Sequence, residues 1–253
     1  MPHTLASTQD KPLPALIPQL GAAPEHFDTR WPWWIKLFIG LVLLAGAFYI
    51  DRPVAIWVEQ VNPLGRVKGD LARELMLLEQ FGQWTSTVLI IAAVALLDKK
   101  GRQRALAIGL GCLVTVLFCY LLKDLVGRPR PTVFGGVAGD GVAQFYGPER
   151  GFTGGSKWTS FPSAHTTGAF ALACGLAWFY PRARGLFMLL ALITATQRVL
   201  HNAHYVSDVV AGMILSVTTA RLVLAGNLAG RLIALAPPPA RQWWLAEPTD
   251  ATP

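Results

Sequence analysis

A chain of 253 residues with 53% hydrophobic and 15% charged residues departs from soluble globular domains, in which about 25% are charged. Its formal charge of +7 is spread over short loops and isolated positions, with no basic run interleaved with aromatics, which excludes a nucleic-acid groove. The apolar residues lie in long runs rather than at amphipathic spacing, and runs of roughly 18 can cross a hydrocarbon core of about 30 Å. The expected fold is all-α: one polytopic membrane domain of six transmembrane helices over 31–226, with flexible cytoplasmic tails over 1–30 and 227–253.

In chain order, residues 1–30 carry Pro2, Pro12, Pro14, Pro18 and Pro24 among polar residues and no apolar stretch with a small-residue cleavage site. They read as a tail, not a signal peptide, leaving the first span as the targeting signal. That span runs from Trp33 to Ile50, entered through Trp31, Trp33 and Trp34, which suit the water interface. Asp51–Gln83 mixes charges with Leu71, Leu75 and Leu78 at helical spacing, so an amphipathic helix on the membrane surface is expected there. Further spans follow over Trp84–Leu97, Ala105–Leu122, Pro162–Tyr180, Leu186–Leu200 and Tyr205–Leu224. A long Gly-rich loop over Thr132–Ser160 joins the third and fourth, and loops of this length beside a site often act as lids. Cys112, Cys119 and Cys174 all fall in apolar segments and read as small core residues.

Orientation follows from the short loops. Lys99, Lys100, Arg102 and Arg104 lie in one and Arg182 and Arg184 in another, on the same side of a six-helix count. The positive-inside rule makes that side cytoplasmic, together with both termini. In a bacterial inner membrane the opposite face is periplasmic, and it holds the long loop between helices 3 and 4.

The ionisable residues gather on that opposite face. Lys123 ends the third segment, Ser163 and His165 open the fourth, Arg198 closes the fifth, and His204 and Asp208 open the sixth. Any one of them has a plain reading: a snorkelling lysine, a flanking arginine, a helix-capping histidine, a structural His–Asp pair. Their convergence at one depth is what marks a functional site, because ionisable groups there are costly. His204 and Asp208 stand four apart, so one carboxylate can hold one imidazole and stabilise the charge it develops on attack. Pro162 suits a first helical turn, with Thr159 or Ser160 available to cap it, and a helix start offers free N–H groups to phosphate. Lys123, Arg130 and Arg198 add charge and donors that match phosphoryl oxygens.

Three strings sharpen this. Lys123 to Pro131 (KDLVGRPRP) fits K-x6-R-P, Pro162 to His165 (PSAH) fits P-S-G-H with one change, and Arg198 to Asp208 (RVLHNAHYVSD) fits R-x5-H-x3-D. Together, in this order, they resemble the signature of the type-2 phosphatidic acid phosphatase family, which is related to the vanadium haloperoxidases. The resemblance implies hydrolysis, with no metal cofactor, of a phosphomonoester or diphosphate on a membrane lipid through a phosphohistidine. It implies His204 as nucleophile, Asp208 as its orienting partner and His165 as general acid. Lys123, Arg130, Ser163, Ala164 and Arg198 would bind the phosphoryl group. Two positions depart from the pattern: Ala164 replaces Gly, and Gln197 stands where Ser often precedes the Arg.

Other residues carry less. Arg128 and Arg130 both precede proline, and spacing from Lys123 does not choose between them; the family pattern selects Arg130. Arg128 and Lys157 are then candidate headgroup contacts, or in the case of Arg128 a solvated charge. His201, His3, His26 and Asp124 receive no role. The expected partners are a lipid phosphate (phosphatidic acid, phosphatidylglycerol phosphate, undecaprenyl diphosphate or lipid A type) and the bilayer, with no nucleic acid and no obligatory protein partner. Rival readings are a lipid phosphotransferase, a vanadium haloperoxidase, which six spans disfavour, and a non-catalytic binding or transport protein.

Overall fold

The structure is a computed structural model that describes residues 32–70, 74, 78–134, 145–237, 240 and 243–244. Among these residues the regular structure is helical throughout. The helices are α1 (Trp33–Val61), α2 (Trp84–Leu97), α3 (Gly101–Val126), α4 (Gly147–Thr153), α5 (Ala164–Phe179), α6 (Arg184–Leu200), α7 (Val206–Ala225) and α8 (Leu228–Leu235). A long helix stands at each of the six places where an apolar segment occurs.

Four regions are long and apolar enough to cross a membrane: Trp34–Val61, Gly101–Val133, Pro181–Leu200 and Val206–Ala225. The other two helices fall short. α2 has 14 residues and α5 has 16, which at about 1.5 Å per residue give roughly 21 and 24 Å. The outward faces are strongly apolar: Phe38 is 63% exposed, Tyr49 88% and Leu97 85%. In water this would be an aggregation surface; against acyl chains it costs nothing.

α5 is the opposite case. Every residue from Thr166 to Trp178 is buried, and the helix packs against α3, α6 and α7. Its sequence explains why: Gly168, Ala169, Ala171, Ala173, Gly175 and Ala177 keep the helix thin, so three neighbours approach closely. It is close to α7 at Gly212, where an added Cβ would lie 2.9 Å from the Thr167 hydroxyl and 3.1 Å from the Ser163 carbonyl. Polar bonds reinforce the packing. The Thr115 and Thr219 hydroxyls meet at 2.5 Å between α3 and α7, and Ser216 donates to the Thr167 carbonyl at 2.8 Å.

Three segments, the end of α1, the Gly-rich connection and the stretch after Leu224, differ from expectation, and the expected surface helix lies largely outside the described residues. α1 does not stop at Ile50 but runs through Asp51 and Pro53 to Val61, where Asn62 ends it in the left-handed conformation with φ 44°. Its extra turns are buried on one side at Asp51, Ala55 and Val58, so packing against α7 carries the helix past its charged residues. The surface helix expected after it falls largely on Leu71–Arg73 and Leu75–Leu77, outside the described residues; Leu78 opens a short 3-10 turn to Gly82. Of the Gly-rich connection, 135–144 lies outside the described residues, and the rest forms α4 and two 3-10 turns, Pro131–Phe134 and Gly155–Trp158. After Leu224 the chain forms one more helix, α8, capped by the Asn227 side chain and packed on α3.

Candidate active site

The C-terminal ends of α3 and α6 and the N-terminal ends of α5 and α7 meet at one end of the bundle. Gly127 makes the first turn possible. It ends α3 at φ 59°, donates to the Lys123 carbonyl, and packs against the backbone of Gly147 where a side chain would collide. The chain then passes through Arg128, which bonds to Ser207 and Asp208 of α7, and Arg130, which bonds to Ser156 and Lys157.

Asp208 is the hub. It is fully buried, and its two carboxylate oxygens are divided. Oδ1 accepts from Arg128 Nη1 at 2.5 Å. Oδ2 accepts from the Ser160 hydroxyl at 2.6 Å and from the Tyr205 backbone N–H at 2.9 Å, and lies 3.5 Å from His204 Nδ1. His204 Nδ1 is also 3.3 Å from the Ser160 hydroxyl oxygen. Since Ser160 gives its proton to Asp208, its oxygen is left to accept, so Nδ1 carries the imidazole proton and Nε2 keeps its lone pair. Burial drives the His204 imidazole down to about 3 against the pull of Asp208, which keeps Nε2 unprotonated near neutrality.

The cations surround this pair. Lys123, 4% exposed, donates from Nζ to the carbonyls of Thr159 and Ser160. Arg130 donates from Nε to the Ser156 carbonyl at 2.7 Å. Arg198 pairs through Nη1 with Glu79 at 2.5 Å, while its buried Nε has no hydrogen-bond partner among the described residues. Ser163 is the residue before α5; its N–H donates to the Asp208 carbonyl at 3.0 Å and its hydroxyl accepts from Thr166 at 3.1 Å. Ala164 opens α5, and His165 follows, half-buried, within electrostatic reach of Arg198, Glu79, Arg130 and Lys123. Thr159 and Ser160, expected as caps for α5, serve Lys123 and Asp208 instead.

Arg128 requires a correction. Read from the sequence as a headgroup contact or a solvated charge, it has 0% side-chain exposure. Nη1 donates to Asp208 and, at 2.6 Å, to the Ser207 hydroxyl, and Nη2 donates to Asp51 at 2.8 Å. Aromatic rings close over it, with Tyr205 at 4.2 Å, Phe48 at 5.1 Å and Phe145 at 5.5 Å from the guanidinium carbon. Two carboxylates outbid the surface for this cation. Lys157, the other candidate headgroup contact, has its carbonyl bonded to the Arg130 N–H at 2.8 Å and its side chain exposed. His201 is exposed, and Gln197 is buried with neither amide atom hydrogen-bonded among the described residues.

Sequence reasoning missed Asp51, Ser160 and Ser207. Asp51 is 1% exposed, accepts from the Ser207 N–H at 2.8 Å and from the Ser207 hydroxyl, and holds Arg128. The string Asp51-Arg52-Pro53 resembles the end of a span, and this hid it. The available signal was the apolar spacing that resumes at Val54, Ala55 and Val58.

The arrangement presents one imidazole nitrogen with a free lone pair, a second histidine and three cations. The model of the PAP2 superfamily matches residues 104–229. A lipid A 1-phosphatase of Rhizobium johnstonii is 36% identical over 124 residues, covering 46% of this chain and 48% of that protein. The lipid A 1-phosphatase of Rhizobium etli is likewise 36% identical over 124 residues, covering 46% of this chain and 50% of the relative. A probable lipid phosphate phosphatase 4 of Arabidopsis thaliana is 31% identical over 139 residues, covering 46% and 44%. The chain thus spans about half the length of the curated relatives it matches. No solved structure matches it.

Proposed function

The chain belongs to the PAP2 superfamily, and from that premise we propose that it is a lipid phosphatase of a bacterial inner membrane, acting through a phosphohistidine on His204. The observation that carries the reading is the division of Asp208: Nδ1 of His204 faces Asp208 and Ser160, leaving Nε2 as the nucleophile. In the first step Nε2 forms a bond to phosphorus as the bond from phosphorus to the lipid oxygen breaks. That oxygen takes a proton from His165. In the second, His165 takes a proton from water, the resulting hydroxide attacks phosphorus, and the phosphorus–nitrogen bond breaks to free phosphate and His204. Lys123, Arg130, Arg198 and the N–H groups at the start of α5 hold the phosphoryl oxygens through both steps.

A phosphomonoester or diphosphate on a membrane lipid is the substrate class, and the names of the Rhizobium relatives favour a lipid A type headgroup. All six long helices cross the bilayer on this reading, α2 and α5 being completed by their flanking turns. The cationic loops Lys99–Arg104 and Arg182–Arg184 face the cytoplasm with both termini, and the site faces the periplasm.

The test is phosphate release by the purified protein in detergent, with EDTA present, over a panel of phosphatidic acid, phosphatidylglycerol phosphate, undecaprenyl diphosphate and lipid A. Release is expected from at least one, and His204→Ala is expected to lower it by roughly 10⁴-fold or more. Turnover retained by that variant removes the nucleophile assignment. A strict requirement for Mg²⁺ removes the metal-free route.

A further inference from the structure

Asp51 and Arg128 lie outside every group that the phosphoryl transfer above requires, yet they are among the most deeply enclosed charges in the molecule. Burying an isolated ion costs several kcal/mol even after relaxation, so such a group persists where its charge is balanced by bonded partners. Here the balance is asymmetric. Two carboxylates, Asp51 of α1 and Asp208 of α7, share one guanidinium, and the set carries a net charge of −1. Ser207 ties the two ends together, because its hydroxyl accepts from Arg128 and donates to Asp51 while its N–H donates to Asp51. Asp51 therefore satisfies a backbone N–H in the first turn of α7.

We propose that Asp51 and Arg128 are positioning residues for His204, acting through Asp208 to fix which carboxylate oxygen faces the imidazole and how much negative charge it carries. The inference rests on the phosphatase reading for its kinetic consequence but not for its structural one. Arg128 occupies Oδ1 of Asp208, so Oδ2 is the oxygen left for Ser160, the Tyr205 N–H and His204. Asp51 draws part of the guanidinium charge away, so that Asp208 keeps enough of its own to support a cationic His204 when Nε2 bonds to phosphorus. α1 thereby enters the site without touching the substrate. Its continuation past Ile50 acquires a purpose, since a helix ending there would leave Asp51 out of reach.

The charges facing His204 are Asp208 of α7, Lys123 of α3 and Arg130 of the loop beyond it, with Arg128 and Asp51 behind Asp208. Removing charge from that rear pair has a signed effect on the imidazole. Arg128→Gln leaves two uncompensated carboxylates and should move the titration midpoint of His204 upward, by about one pH unit or more. Adding Asp51→Asn to Arg128→Gln restores the net charge and should bring the midpoint back toward the wild-type value. Asp51→Asn alone removes one of the two carboxylates that share Arg128 and should lower kcat roughly tenfold with KM within about twofold.

The experiment is ¹⁵N-imidazole NMR of the full-length protein in detergent, with the His204 signal identified by its loss in His204→Asn, beside steady-state kinetics on a lipid phosphate. The proposal is overturned by Arg128→Gln titrating where the wild type does, or by Asp51→Asn keeping full kcat. Should Arg128→Gln fail to fold, Asp51→Asn decides alone. A wild type that releases no phosphate while the NMR midpoints move as stated would overturn the activity and leave the positioning role standing.

Discussion

The two ends of the helix bundle both hold an arginine beside an aspartate, and they use the pair in opposite ways. At the site end, Arg128 with Asp51 and Asp208 has no exposed side-chain surface on any member. At the other end Arg104 meets Asp98 at 2.5 Å with 28% and 16% exposure, and Tyr180 adds a hydrogen bond at 2.8 Å. Burial there pushes the Asp98 carboxyl up, but hydrogen bonds from Tyr180 and the Lys100 N–H and the Arg104 charge hold it below the ordinary range. The pair at that end is open to solvent. At the site end every member is enclosed, so orientation as well as stability hangs on each contact.

The contrast can be broken most severely at Arg128. Arg128→Met strands two buried carboxylates and should destabilise the protein by about 3–5 kcal/mol, read as resistance to unfolding in mixed detergent. Arg104→Met, in the same assay, should cost no more than about 1 kcal/mol. Equal losses at the two ends would erase the distinction.

A middle-sized effect follows from His204. Its folded value of about 3 lies below the ordinary 6.5, so between those pH values the unfolded chain binds a proton that the folded protein refuses. Stability contributed this way is full above about 6.5 and declines as pH falls toward 3. The thermal midpoint should therefore drop between pH 6.5 and pH 4.5, with a shallower slope in His204→Asn. A slope unchanged by that substitution would move the acid sensitivity elsewhere. Smallest is Thr115→Val, which removes the hydroxyl bridge from α3 to Thr219 on α7 and should cost about 1 kcal/mol. A larger loss would mean that the central contacts carry more than their hydrogen bond.

Much of this was legible from the sequence because the signals were local. Apolar runs mark six helices, and the four-residue spacing of His204 and Asp208 does pair them, although His204 stands in the turn before α7 and not on the helix itself. Lys123, Ser163, His165 and Arg198 fall at helix ends that an up-and-down count brings together. What stayed hidden was long-range. Nothing in Arg128-Pro129-Arg130-Pro131 says which guanidinium turns inward, because the choice depends on a carboxylate 77 positions away. Asp51 was hidden by its neighbours: next to Arg52 and Pro53 it marks a span's end by composition, whereas packing on α7 continues the helix. Ser160 sits in a loop, where a hydroxyl has many uses, and only the fold brings it against Asp208.

Gly212 deserves a last consideration. It faces the Ser163 carbonyl and the Thr167 hydroxyl, at the level where α5 and α7 begin. A hydrogen atom is the spacer between the helix that carries His165 and the one whose first turn carries Asp208, just after His204. A methyl group in that place would act as a shim a few tenths of an ångström thick, pushing the Thr167 hydroxyl and the Ser163 carbonyl away from α7. On the mechanism proposed above, the distance between acid and nucleophile thus depends on a residue that has no side chain, one turn below Asp208.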